Sequence, residues 1–331
     1  SIILLLITWE GLNHKFSYQE KRIHMKMYVG ITDYDWFQTL KQANCEEVNF
    51  WKPGGQTNFK ALDEGELFLF KLHSPMNYIV GGGFFLKFSI LPASLAWEAF
   101  GIANGAVSLK ELYNRVYKYR NTNRLSDPDP SIGCIILSSP FYFDENDWIP
   151  VPADWSRNIV QGKTYDTGQP LGQALFEQVL ARLRSENIMP FMAAESNNSY
   201  GNEQIIRPRI GQGAFKVLIT EAYQRRCAIT GEKTLPVLEA AHIKPYSFDG
   251  PHEVKNGILL RRDFHTLFDR GYITIDKNLT IEVSHRIKED FGNGREYYAH
   301  HGSKLIVLPQ RRDQMPDPAY LEWHNQNVYV G

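Results

Sequence analysis

Leu238-Glu239-Ala240-Ala241-His242-Ile243, then Asn256-Gly257-Ile258-Leu259-Leu260, then His265-Thr266-Leu267-Phe268-Asp269, is the stretch that decides how this chain folds and what it does. The first run predicts a strand around Val237 to Ile243, and the segment from about Arg262 to Asp269 predicts a short helix. Asn256 follows His242 by fourteen residues, His265 follows nine later, and Asp269 four after that. On a helix, positions four apart share a face, so His265 and Asp269 can present an imidazole and a carboxylate to one cation. Mixed nitrogen and oxygen ligation suits a divalent ion such as magnesium or manganese. Hydrolysis of a phosphodiester needs a base to activate water and a cation to neutralise developing charge. An imidazole accepts a proton near pH 7 without costly tuning, and a strand end holds it rigidly, so His242 is the candidate base. Asn256, ahead of Gly257, is placed to pin the loop through side-chain bonds to backbone.

Working outward, a helix is expected from about Gly213 to Arg226. A hairpin is expected from Tyr272 to Asp276, returning through Asn278 to Val283, before a tail with no assigned structure. Residues 205–275 hold eleven Lys plus Arg against seven Asp plus Glu, a local excess of positive charge in a chain whose formal net charge is −1. Lys244, Lys255, Arg261 and Arg262 are each readable as solvated surface; together they are candidates for a rim that meets the DNA backbone. His252, His285, His300, His301 and His324 show no useful partner spacing and stay unassigned.

The whole chain, 331 residues with 43% hydrophobic and 22% charged content, has the length and composition of two globular domains. Cys45, Cys134 and Cys227 lie far apart and form no CxxC pair, which supports neither a disulfide framework nor a zinc ribbon and favours a cytoplasmic setting. The apolar run Ile2 to Ile7 is too short to span a bilayer and lacks a signal peptide's flanks, so no membrane partner is expected. Met25, ahead of the strand-like Met27-Tyr28-Val29-Gly30-Ile31, reads as the natural start, with residues 1–24 an N-terminal extension.

From residue 25 to 166 short β-like runs such as Glu66 to Leu72 and Gly133 to Leu137 alternate with Gly, Pro and Asn, which suggests a small barrel or curled sheet. Helices are expected at Asp33 to Asn44, Ser94 to Phe100, and Ser108 to Arg120, the last opened by Ser108 and Glu111 as a capping box. Residues 167–204 combine an amphipathic helix, with Leu171, Leu175, Val179 and Leu183 four apart, and a polar linker from Ser185 to Gln204. The remainder, 205–331, is the second domain. The expected class is α+β.

Cys227-Ala228-Ile229-Thr230-Gly231, Leu238 to Pro245, Asn256 to Leu260 and His265 to Gly271 together resemble the HNH endonuclease family over roughly 75 residues. Gly211 to Phe215 and Ala222 to Cys227 look like the helical lead-in of restriction-type members. The resemblance implies a ββα-metal fold, a hairpin carrying the base followed by a helix carrying a metal ligand. It implies His242 as base, Asn256 as the middle catalytic residue and His265 as a metal ligand. The chain departs from the family at Ala241, where many members carry a further metal ligand immediately before the base. Glu239 lies on the same side of the strand as Ala241 and is the candidate replacement, directly or through water.

The runs Met27 to Asp33, Val48 to Gly55 and Tyr78 to Phe85 resemble PUA-superfamily barrels, the group with EVE, ASCH, YTH and SRA domains. That resemblance implies recognition of a modified base in an aromatic-walled pocket, the base taken out of the duplex. Trp36, Trp51 and Tyr78 are the pocket candidates, chosen from composition and neighbourhood; core packing is the alternative for each. Gly81-Gly82-Gly83 reads as a turn or bulge beside close backbone approach rather than as a phosphate cradle. Trp155 to Asp166 is expected either to close the pocket or to seal the barrel.

These readings converge on a modification-dependent restriction endonuclease cutting double-stranded DNA near 5-methylcytosine or 5-hydroxymethylcytosine. A homodimer is expected, since one such site cuts one strand. Two alternatives stand beside it: a nuclease aimed at unmodified DNA or RNA, and a nucleic-acid-binding protein whose metal site was lost at Ala241.

Overall fold

The computed structural model describes residues 25–54, 58–185 and 210–331. The expected N-terminal extension and most of the polar linker lie outside the described residues. In chain order the first part contains β1 (Lys26–Thr32), α1 (Tyr34–Ala43), β2 (Glu47–Lys52), β3 (Leu67–Leu72), β4 (Tyr78–Pro92), α2 (Ala93–Phe100), α3 (Leu109–Arg120), β5 (Ser131–Tyr142), β6 (Ile149–Pro150), β7 (Gly162–Asp166) and α4 (Pro170–Ser185). The second contains α5 (Gln212–Ala222), β8 (Leu238–His242), β9 (Gly257–Arg261), α6 (Arg262–Asp269), β10 (Ile273–Ile275), β11 (Ile281–Val283), α7 (Arg286–Phe291), α8 (Arg295–Tyr298) and α9 (Pro318–Asn327). The class is α+β. Among the described residues, no helix is long and apolar enough to cross a membrane.

The first sheet runs β2-β5-β4-β3-β1-β7, with β6 added to β4. Among the described residues only β1 and β3 pair in parallel. Side chains alternate across β3 as strand geometry requires: Phe68 and Phe70 enter one buried cluster with Trp36, Phe37, Leu40 and Phe50, while Leu67 and Leu69 enter another with Met27, Val29 and Phe141. The sheet curls around the aromatic side as a barrel wall does. Phe50 on β2 meets Phe68 on β3 with ring centroids 4.5 Å apart, although those strands are not paired. The path itself is open between β2 and β7.

Bending of the long β4 explains its three glycines. Its pairing with β5 shifts register between Gly82 and Phe84 and again between Phe85 and Lys87, and such bulges kink a strand. A Cβ at Gly82 would stand 2.5 Å from the Phe68 carbonyl oxygen, so the close approach admits no side chain. The capping box of α3 forms: Ser108 accepts from the Glu111 amide at 3.2 Å, while the Glu111 carboxylate accepts from the Val107 amide at 2.8 Å. On α4, Leu175, Val179 and Leu183 are buried, but Leu171, in the first turn, remains 40% exposed.

Helix α5 belongs to both halves. Ala214 and Val217 pack with α2, α3 and β5, whereas Phe215, Ile219 and Ala222 enter the core beneath β8 and β9. Its first amides, which have no partner within the helix, are met by Glu47 of β2, whose carboxylate accepts from Gly213 and Ala214 at 2.7 Å each. Burial nevertheless pushes the Glu47 carboxyl upward. Just past the helix, Arg225 donates to the Ile90 carbonyl at 2.7 Å and to Glu221 at 2.6 Å, and Ser89 donates to Glu221 at 2.7 Å. The unassigned tail supplies α9, whose Leu321 and His324 close the second core.

Candidate active site

β8 and β9 form an antiparallel hairpin in which His242 pairs with Gly257 and Glu239 with Leu260. α6 follows β9 without a break and docks through its buried Phe264 and Phe268. His265 and Asp269 therefore fall on the helix face turned to Glu239. The fourfold spacing on α6 puts His265 and Asp269 on one helix face, against Glu239 of β8.

The imidazole of His265 is held between two carboxylates. Its Nδ1 lies 2.8 Å from Glu239 Oε2, and its Nε2 lies 3.2 Å from Asp269 Oδ2. Burial lowers the pKa of His265, but Asp269 and Glu239 outweigh burial and the net shift is upward. Glu239 also accepts from Arg262 Nε at 2.7 Å. Burial raises the Glu239 carboxyl, while His265 and Arg262 together hold it below its usual range. Ala241, where a further ligand was expected in relatives, is fully buried in the second core.

His242 stands at the end of β8 with Phe215 stacked on its face and its Nε2 3.0 Å from Nδ1 of His252. Burial first, and His252 second, lower its pKa to about 4, so the ring is neutral at pH 7. Asn256 is fully buried. Its Oδ1 accepts from the Lys244 amide, and its Nδ2 donates to the carbonyls of Lys244 and Pro251, all at 2.9 Å. The loop that leaves His242 is thereby tied to the start of β9.

Three of the four basic candidates are engaged by carboxylates. Arg261 makes a forked pair with Asp263 and reaches Glu296 at 2.7 Å. Lys255 lies 3.2 Å from Glu253 and 3.8 Å from Asp317. Arg262 joins Glu239. Lys244 sits 5.7 Å from the centre of the Trp323 ring. Cys227 is buried and free; its Sγ accepts from the amides of Thr230 and Arg261 at 3.4 and 3.3 Å, which fixes the turn before the hairpin.

In the first half, a cavity of about 220 Å³ is lined by Tyr28, Asp33, Trp36, Trp51, His73 and Tyr119 among others. Trp36 and Trp51 both donate their indole N–H to the Asn104 carbonyl, at 3.0 and 2.9 Å. Trp36 is also buried edge-on against Phe50 and Phe70, so it packs the core as well as touching the cavity. Tyr78 lies elsewhere, at the start of β4 beside Trp148 and 39% exposed. Asp33 accepts from the Tyr119 hydroxyl and lies 3.5 Å from His73. Val160 and Gln161 also line the cavity, so the segment between Trp155 and Asp166 reaches its wall.

His252, Phe215 and His324 are among the residues the sequence left without a role. A signal existed for His252 in its place inside the loop between His242 and Asn256. None existed for the stacking of Phe215, which is set by α5 packing.

Comparison of the sequence with curated proteins finds no match. Among solved structures, a modification-dependent TagI restriction endonuclease aligns over 86% of this chain and 75% of its own, at 12% identity and a TM-score of 0.25. Residues 227–276 match the model of an HNH endonuclease family. With the hairpin, the helix and the histidines of that stretch in place, the segment from Cys227 to Asp276 is similar to HNH endonucleases.

Proposed function

We propose that this chain is a divalent-metal-dependent DNA endonuclease in which the HNH module cuts and the N-terminal sheet reads a modified cytosine. The observation that carries the cutting half is the convergence of His265 with Glu239 and Asp269 beside the neutral, half-buried His242. His242 takes the proton of the attacking water, and Asn256 holds the loop that aims it.

The donor set fits a hard divalent ion such as magnesium or manganese, with a limit set by the ring. Nδ1 and Nε2 face opposite edges of the imidazole, so one cation cannot share His265 with both carboxylates. Nδ1 donating to Glu239 leaves the Nε2 lone pair beside Asp269. His265 and Asp269 would then hold the metal, and Glu239 would orient the ring, as carboxylates commonly do for metal-binding histidines. Among the described residues, no group of three His, Cys, Asp or Glu side chains could by itself hold a metal ion, so water and the substrate phosphate would have to complete the set that His265 and Asp269 begin. The bound ion supplies charge neutralisation at the phosphate. Lys244 is the candidate to meet the flanking backbone, with Arg262 beside it through the guanidinium nitrogens that Glu239 does not take.

The reading half rests on the cavity. About 220 Å³ accommodates a single pyrimidine, Trp51, Tyr28 and Tyr119 supply apolar walls, and Asp33 supplies an acceptor for an exocyclic amine. One module cuts one strand, so double-strand cleavage requires two, and a homodimer on modified DNA is the simplest arrangement.

The test is a cleavage panel with magnesium or manganese on duplexes carrying cytosine, 5-methylcytosine or 5-hydroxymethylcytosine, and on RNA. Cleavage that tracks the modification and disappears with His242→Ala supports the proposal. Equal cleavage of all duplexes overturns the reading role. Binding without cleavage, unchanged by His242→Ala, overturns the cutting role.

A further inference from the structure

We propose that His252 is a positioning residue for His242, accepting a hydrogen bond from its Nε2 and so fixing the tautomer whose Nδ1 takes the proton of the attacking water. The proposal rests on the nuclease reading above. His252 lies in the loop joining β8 to β9, and its Nδ1 is 3.0 Å from Nε2 of His242. One proton is shared by those two nitrogens, and it has two homes. If His252 donates, neutral His242 carries its own proton on Nδ1 and has no lone pair left to accept another. If His242 donates, the Nδ1 lone pair stays open. Among the described residues no hydrogen bond is made to Nδ1 of His242, and that atom is open to water, so the first arrangement offers an attacking water only an N–H. The second leaves a basic atom facing outward.

The loop is built to hold His252 where it is. Tyr246 stacks on its ring with centroids 4.9 Å apart and planes 9° from parallel. The neighbouring Pro251 carbonyl accepts from the buried Asn256 amide at 2.9 Å. Phe215 fixes the plane of His242 from the other side, and the two imidazoles meet at 63°, an edge approach that suits a ring N–H pointing at a ring lone pair.

The step balances without transfer to His252. The water O–H bond breaks, its proton goes to Nδ1 of His242, and its electron pair forms the new bond to phosphorus. The leaving oxygen departs with the old P–O pair and takes a proton from solvent. The imidazolium so formed is stabilised by its Nε2–H bond to His252, which keeps its own proton on Nε2 throughout.

The experiment uses the full chain with His252→Leu and His252→Asn, because an asparagine amide oxygen can accept where Nδ1 does and leucine cannot. Three quantities are read: single-turnover cleavage of the best duplex from the panel with manganese, DNA affinity by anisotropy, and the tautomer of His242 from ring nitrogen-15 shifts. The expected result is a kcat loss of about tenfold or more for leucine, within the range that base positioning controls. Affinity should be unchanged and asparagine should restore most of the rate. The wild-type spectrum should show His242 protonated on Nε2, with mixed tautomers in the leucine variant. Equal behaviour of the two variants in rate and spectrum, or a wild-type His242 protonated on Nδ1, overturns the proposal. The spectrum is read whether or not the chain cuts, so failure of the nuclease reading is distinguishable from failure of this one.

Discussion

The phenyl ring of Phe215 lies face to face on the imidazole of His242, with centroids 3.9 Å apart and planes 11° from parallel. Phe215 sits on α5, the helix whose other side packs into the N-terminal half and whose first amides are held by Glu47. Gly257, paired with His242 across the hairpin, is the reason the helix comes so near: a Cβ there would stand 2.3 Å from Ile219 and 2.8 Å from Phe215. The plane of the candidate base is thus set by a helix shared between the two cores.

Phe215 accordingly affects both stability and rate, and two substitutions separate them. Phe215→Ala empties a fully buried site and should destabilise the chain by about 3–5 kcal/mol. Phe215→Leu keeps much of the volume but loses the flat face. It should unfold near the wild-type denaturant midpoint while cleaving at least several-fold more slowly. A leucine variant with wild-type rate would remove the stack from the account of the base.

Asn256 should be intolerant of its nearest isostere. Its Nδ2 donates to two carbonyls, so Asn256→Asp sets a carboxylate oxygen against two acceptors in a buried site, while Asn256→Ala only leaves the partners unsatisfied. The alanine change should cost about 1–3 kcal/mol, and the aspartate change at least as much. Urea denaturation of the two variants decides it; an aspartate variant more stable than the alanine one would contradict the assigned bonds.

Much of the site was legible in the sequence because its spacings are local. His265 and Asp269 share a helix, Glu239 and His242 share a strand, and turn residues bound both elements. Periodicity also marked α1, α3 and α4. What was hidden depends on packing between distant segments. Trp36 and Tyr78 look alike as aromatics in the sequence, yet α1 turns Trp36 inward against Phe50 and Phe70, while Tyr78, at the start of β4, stays exposed beside Trp148. The carboxylates facing Arg261 and Lys255 come partly from Glu296 and Asp317, far along the tail, so no local charge count predicts the pairing. Glu239 was expected as a possible ligand, but which edge of His265 it takes is a matter of three dimensions.

That edge assignment gives different expectations for the two carboxylates. Asp269→Ala removes a donor beside Nε2, whereas Glu239→Gln leaves an amide oxygen able to accept from Nδ1–H. Isothermal titration with manganese should show at least a tenfold loss of affinity for the first. The second should lose less than Glu239→Ala, whose cost is that of an orienting partner, about 10–100-fold. Equal losses for glutamine and alanine at 239 would place Glu239 on the metal itself.

His324 should make the second core acid-sensitive above the range where carboxylates titrate. It stacks on Phe268 with centroids 3.8 Å apart, its Nε2 lies 3.1 Å from the Phe268 carbonyl and its Nδ1 2.8 Å from the Thr274 hydroxyl. The neutral ring satisfies both neighbours, donating from Nε2 and accepting at Nδ1. Burial is the main reason its pKa falls from 6.5 to about 4, partly countered by the Phe268 carbonyl. Above the unfolded value both states are neutral and the full stability is present. As pH falls below it the unfolded chain takes up a proton that the folded chain refuses, so stability declines until about pH 4. His242 is shifted the same way and His265 the opposite way, so the contribution of His324 is read as a difference between variants. His324→Gln can donate to the Phe268 carbonyl and accept from Thr274 without titrating. Between pH 7.5 and pH 5 the wild type should lose about 2 kcal/mol more than this variant, measured as urea unfolding free energies in one buffer series. Parallel losses in the two proteins would show that the ring is already solvated in the folded chain.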